Sequence, residues 1–179
     1  PNPTCRAEMP LVRQWWLANT GSRKLALKPV VDHLAKTLTF EVVQDGKIDF
    51  DPSKGSIYQG SVTCLFCDQA TDAKYLQAEG QAGRLSQIPL AVVYNQDSAG
   101  KGYRAVDDQD RKLFHEATMM ASVIVEDIPD EPITREQPRI IWVILYGIEY
   151  WHQLFNSRQS LALVTFSKKI RTVYESILG

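Results

Sequence analysis

The sequence predicts an α+β fold in which a β-rich N-terminal lobe is followed by a mixed lobe ending in a long C-terminal helix. Three features predict it. Up to about residue 70, short runs rich in β-branched and aromatic residues alternate with turn-forming Gly, Asn, Asp and Pro. From residue 71 onward, capped stretches with apolar residues every three or four positions take over. The last of these runs from Asn156 almost to the end of the chain.

Taken in order, residues 11–17, 24–31 and 37–43 read as a three-stranded meander, connected by Asn19 to Ser22 and by a polar stretch over 32–36. Pro29 has no N–H for a ladder, which assigns it to an edge or a strand end. Turns at Asp45-Gly46 and over 51–55 precede another strand, 56–63, which runs into Cys64. Residues 72–81 suit a short helix capped by Thr71 or Asp72 and ended by Gly80 and Gly83. A strand over 90–94 and a loop over 97–102 follow. Asp107 then caps a helix over about 108–125, with the Asp110 carboxylate in its first turn. Leu113, Ala117, Met120 and Ile124 form its packing stripe. Pro129, Pro132 and Pro138 make 126–139 a linker. The final helix, capped by Asn156 or Ser157 and reaching about Leu178, has Leu163, Phe166, Ile170, Val173 and Ile177 as its buried stripe. The implied division is 1–70, 71–125 and 126–179.

With 179 residues, 44% of them hydrophobic, the chain can build one core or two small lobes. A net charge of −1 gives no support for a protein that coats nucleic acid in bulk, although a local basic patch remains open. The longest apolar run, Ile140 to Tyr146, falls far short of the roughly 18–20 residues of a membrane span. Pro1-Asn2-Pro3 has neither the basic start nor the apolar stretch of a secretory signal. The expectation is a soluble, cytoplasmic protein without membrane partners. The abrupt start at Pro1 reads as a cut.

Three cysteines, Cys5, Cys64 and Cys67, are an odd number for a disulfide framework and point to thiol chemistry or metal binding. A zinc ribbon needs two turns, each delivering two thiolates, so that four sulfurs meet about 2.3 Å from one ion. Cys64-Leu65-Phe66-Cys67 is one complete C-x2-C turn; Cys5 lies in a second turn-prone segment, one ligand short. His33 is one candidate for the fourth ligand, and a cysteine just before Pro1 is the better one. Two readings compete: a redox pair at Cys64/Cys67 in the manner of thioredoxin, and three unrelated buried thiols. The N-terminal lobe is thus expected to be zinc-ribbon-like, with structural zinc that this chain could have lost.

Several blocks carry a family resemblance. The string Asn2-Pro3-Thr4-Cys5-Arg6-Ala7-Glu8-Met9-Pro10-Leu11-Val12-Arg13-Gln14-Trp15-Trp16-Leu17 and the block Arg23 to Val30 resemble adenine-specific DNA methylases that contain a zinc ribbon. So do Tyr75 to Leu85, Leu90 to Val93, Pro129 to Ile133, Tyr146-Gly147 and Leu154 to Phe166, in the same order. The resemblance implies methyl transfer from S-adenosylmethionine to the exocyclic amine of a flipped adenine. Such enzymes use a glycine-rich cofactor loop and an Asp/Asn-Pro-Pro-Tyr motif. Neither is in this sequence, which would lie between them as a non-catalytic insertion that assists DNA engagement. The stretch 135–145 and the pair Trp151-His152 depart from the family's pattern. A structural brace or protein-interaction module is the alternative, and a thiol redox domain using Cys64/Cys67 a second.

Within that resemblance Arg13, Arg23, Lys24 and Lys28 are the natural phosphate contacts, with Arg84 a further candidate; an ordinary solvated hairpin explains the first four equally well. His33, His115 and His152 sit in no motif that places them beside a nucleophile. Asp107, Asp108 and Asp110 fit helix capping better than a cation site. Of Trp15 and Trp16, adjacent in a strand, at least one is expected in the core rather than on a stacking platform.

Overall fold

The computed structural model describes residues 1–96, 100–134, 136 and 142–178. It is a mixed α+β structure with three small antiparallel sheets and a long C-terminal helix. The predicted meander forms from β1 (Trp16–Thr20), β2 (Arg23–Asp32) and β3 (Thr37–Gln44), in the order β1-β2-β3. Its first strand lies later than residues 11–17. Val12, Arg13 and Trp15 instead bond to 52–57: Ile57 N–H donates to the Val12 carbonyl, Gly55 N–H to that of Arg13, and Trp15 N–H to that of Pro52. Gly55 permits this crossing, because a Cβ there would stand 1.9 Å from the Val12 oxygen. Pro29 lies within β2, opposite Phe40, at a point where β1 has ended and β2 pairs with β3 alone. Trp15, Leu25, Ala26 and Leu27 are buried at this meander.

The single strand expected over 56–63 is a hairpin: β4 (Ile57–Tyr58) turns through Gln59 and Gly60, both at positive φ, into β5 (Ser61–Thr63). Two successive left-handed residues define the tight hairpin turn whose twist matches its strands. A third short strand, β6 (Ala70–Thr71), pairs with β5 on the far side of Cys64 and Cys67.

Helix α1 (Ala73–Gln81) starts at Asp72, whose carboxylate accepts the Tyr75 N–H at 2.8 Å. Gly80 does not end it. It lies inside the helix and admits the Tyr146 carbonyl, 1.9 Å from where a Cβ would be. Strands β7 (Ala91–Gln96) and β8 (Gly100–Ala105) form a hairpin. The expected loop over 97–102 is therefore strand from Gly100, while 97–99 lie outside the described residues. Gly102 reads as loop in sequence, yet in β8 its missing side chain makes room for the Tyr94 ring opposite.

Helix α2 (Asp108–Ala121) opens on a reciprocal capping box between Asp107 and Asp110 and ends four residues earlier than expected. Its inward residues are Phe114, Ala117 and Ala121; Leu113 and Met120 are exposed. The proline-rich 126–139 stretch lies partly outside the described residues. Helix α3 (Ser157–Leu178) is capped by Asn156, which exchanges hydrogen bonds with Gln159. Its expected buried stripe is solvent-exposed throughout. At about 100° per residue, the half-buried Ser157, Ser160, Leu161 and Val164 lie on the opposite face, and that face meets α2. Lys168, on the same side, pairs with Asp127 at 2.5 Å. Periodicity finds an apolar stripe but not the neighbour that covers it. No helix among the described residues is long and apolar enough to cross a membrane.

Candidate metal centre

Two turns of one design bring the three thiols together. In the first, Asn2 N–H donates to the Ala7 carbonyl (2.7 Å) and Arg6 N–H to that of Asn2 (3.0 Å). In the second, Cys64 N–H donates to the Gln69 carbonyl (3.1 Å) and Asp68 N–H to that of Cys64 (3.0 Å). The residue after the last cysteine is left-handed in both, Arg6 at φ 63° and Asp68 at φ 56°. Local polar bonds hold non-glycine residues in this unfavourable region. Cys5 thus matches Cys67, and Asn2 matches Cys64. The match extends to side chains: Phe66 N–H donates to Cys64 Sγ (3.4 Å) as Thr4 N–H donates to Asn2 Oδ1 (2.8 Å).

The sulfurs of Cys5, Cys64 and Cys67 lie within 4.8 Å of one another. Cys5 Sγ and Cys64 Sγ are 3.6 Å apart. That is far beyond a disulfide's ~2.05 Å, and close to the ~3.8 Å edge of a tetrahedron with four ~2.3 Å metal–sulfur bonds. Cys64 is fully buried, as is Asn2. The Ala7 N–H, followed by the Cys67 and Cys64 thiols, lowers the pKa of Cys5. The Gln69 N–H acts in the same direction on Cys67, but desolvation and the two other thiols outweigh it and push Cys67 up.

The first turn is fastened to the rest of the lobe. Tyr75 Oη donates to the Pro1 carbonyl (2.7 Å), Lys36 Nζ to that of Cys5 (3.3 Å), and Asn2 Nδ2 contacts Met9 Sδ (3.5 Å). His33 is exposed with its ring edge-on to Phe66, and it is not a member of the thiol cluster. Sequence reading missed Asn2, although Asn2-Pro3-Thr4-Cys5 has the same spacing as Cys64-Leu65-Phe66-Cys67.

The five basic candidates are not equivalent. Arg23 donates to the Lys101 carbonyl (2.5 Å) and lies over the Tyr103 ring; Lys28 pairs with Asp49 (2.6 Å). Arg84 makes two bonds to the Glu79 carboxylate, at 2.8 and 2.9 Å. Arg13 and Lys24 are exposed and form no ion pair among the described residues. Trp15 is buried and the Trp16 Nε1–H is held by Ser53 Oγ, so this pair is no stacking platform. Asp107 and Asp110 cap α2 and hold Arg104. Fold and site together define a mixed α+β protein with a three-thiol cluster compatible with a metal ion. No protein-family model, curated protein or solved structure matches the chain.

Proposed function

We propose that this chain is a metal-stapled, non-catalytic module whose Cys5, Cys64 and Cys67 bind zinc. The observation that carries this reading is the convergence of three sulfurs from two turns with the same hydrogen-bond scheme. Thiolates bind zinc, copper(I) and iron; tetrahedral sulfur sites without redox demand favour zinc. When bound, the ion supplies a crosslink between the N-terminal segment and the β4–β6 sheet, and the turns themselves orient the sulfurs. Zinc content by mass spectrometry tests it: about one ion per chain is expected, and less than a tenth of that after Cys64→Ser. A chain that takes up no zinc at micromolar free metal refutes the proposal. The redox reading has less support, because all three sheets are antiparallel and Cys64 enters a tight turn rather than a helix.

The sequence resemblance supports a wider setting, an insertion segment of an S-adenosylmethionine-dependent adenine DNA methyltransferase. In that setting the metal-stapled lobe assists DNA engagement, with Arg13 and Lys24 best placed to meet phosphates because no acid among the described residues pairs with them. Binding to duplex DNA that weakens with salt, and weakens further in Arg13→Glu/Lys24→Glu, is the expected result. Absence of any binding to duplex DNA favours the brace or protein-interaction reading instead.

A further inference from the structure

An open cleft of about 1250 Å³ is lined by the segment that follows Cys5, the start of β3, residues 84–90, Phe114 of α2 and the first turns of α3. Leu11, Leu38, Ile88 and Leu90 make much of the lining aliphatic, and Leu11 and Ile88 are exposed in it. Its volume exceeds the roughly 300–1,000 Å³ of small-molecule sites, which points to a segment of polymer as the occupant.

The backbone of the lining says which kind of polymer. Residues 84–90 link α1 to β7 without helix, strand, turn or bend. Within them Leu85, Ser86, Gln87 and Ile88 make no hydrogen bond to any described residue, through backbone or side chain. A run of unpaired N–H and C=O groups beside apolar side chains is a template onto which another extended chain can pair. A nucleic-acid strand would instead need exposed rings on which its bases stack. The two rings in the lining, Phe66 and Phe114, are half-buried, and Phe66 already has His33 edge-on.

Charge selects the peptide. The chain as a whole carries −1, yet the lining holds four cations, Arg6, Lys36, Arg84 and Arg158, and one acid among the described residues, Glu8. Glu79 neutralises Arg84. Arg6, Lys36 and Arg158 are exposed and form no ion pair among the described residues. Acidic residues in the occupant would meet them, and basic ones would be repelled.

We propose that this cleft docks an extended segment of a partner protein, with acidic residues among aliphatic ones, whose backbone pairs with residues 85–88. Docking does not rest on metal binding, although the two thiol turns contribute Arg6 and Phe66 to the lining.

The test uses the full chain and two fluorescent decapeptides, one alternating Glu with Val and one alternating Lys with Val. In fluorescence anisotropy the Glu peptide binds at least tenfold more tightly than the Lys peptide. N-methylation of its alternate backbone amides weakens it at least tenfold, because pairing needs those N–H groups. Ile88→Asp and Arg158→Glu each weaken binding at least fivefold while circular dichroism stays unchanged. Arg171→Glu, farther along α3 and outside the cleft, changes it less than twofold. The proposal is overturned by equal binding of the two peptides, by binding of neither, or by an N-methylated peptide that binds as well as its parent. Tighter binding of a thymidine decanucleotide than of the Glu peptide, or a concentration-dependent dimer that Ile88→Asp dissolves, overturns it as well.

Discussion

Cys5 Sγ and Cys64 Sγ lie 3.6 Å apart although 59 residues separate them in the chain. Their approach closes a long loop on the thiol cluster, so an ion bound there acts on folding as well as on local geometry. Zinc at a hundred times its dissociation constant should raise stability by about 2.7 kcal/mol. For a chain of this length that corresponds to a melting temperature higher by roughly 5–10 °C. Thermal melts with zinc and with excess chelator check this, and coincident curves would contradict a metal-stapled fold.

Asn2 occupies, in the first turn, the place of Cys64 in the second. Asn2→Cys is therefore expected to add a fourth thiolate to the cluster and tighten zinc binding at least tenfold. Competition with a chromophoric chelator measures the change. Unaltered affinity would mean that the matching hydrogen bonds do not carry over to matching ligand positions.

Gly80 and Tyr146 give a prediction against helix propensity. In an isolated helix Gly→Ala gains about 1 kcal/mol. Here the new Cβ would meet the Tyr146 carbonyl oxygen at 1.9 Å, with the Gly147 Cα of the same backbone segment at 3.1 Å, and backbone cannot yield cheaply. Gly80→Ala should therefore destabilise the protein by about 1–3 kcal/mol, the usual cost of overpacking. A higher denaturation midpoint in the variant would show that α1 and the 142–147 segment do not pack this way.

Asp110 supplies a pH dependence. The Arg104 guanidinium, helped by the Asp107 N–H, holds its carboxyl well below the usual carboxylate range. A depressed pKa in the folded state stabilises above the unfolded value of about 3.9 and loses that contribution as pH falls through the folded one. Amide exchange in the first turn of α2 should be slower in the wild type than in Asp110→Asn at pH 6. The gap should narrow progressively below about pH 4. A gap that stays constant with pH would rule out the ion pair as its source.

The local chemistry of this chain was written in its sequence. Asp72, Asp107 and Asn156 cap their helices because a short polar side chain can accept the N–H groups that a helix start leaves unpaired. The meander, the C-x2-C turn and the long final helix follow from residue period and turn chemistry alone. Strand boundaries did not: Gly55 pulled Val12 to Trp15 onto residues 52–57, a long-range hydrogen-bond choice that no local window contains. Nor did the roles of Gly80 and Gly102, which read as helix end and loop until a carbonyl and a ring are seen against them.

The sequence by itself determined which residues can ligate, cap or form an apolar stripe, because those properties belong to side-chain type and spacing. Tertiary structure decided which of them meet. It brought Cys5 to Cys64 and Cys67, neutralised Arg84 and Lys28 with acids, and turned the α3 stripe away from α2. Each depends on contacts between distant segments, and the free energy that fixes them is shared over the packed chain rather than held in any one stretch.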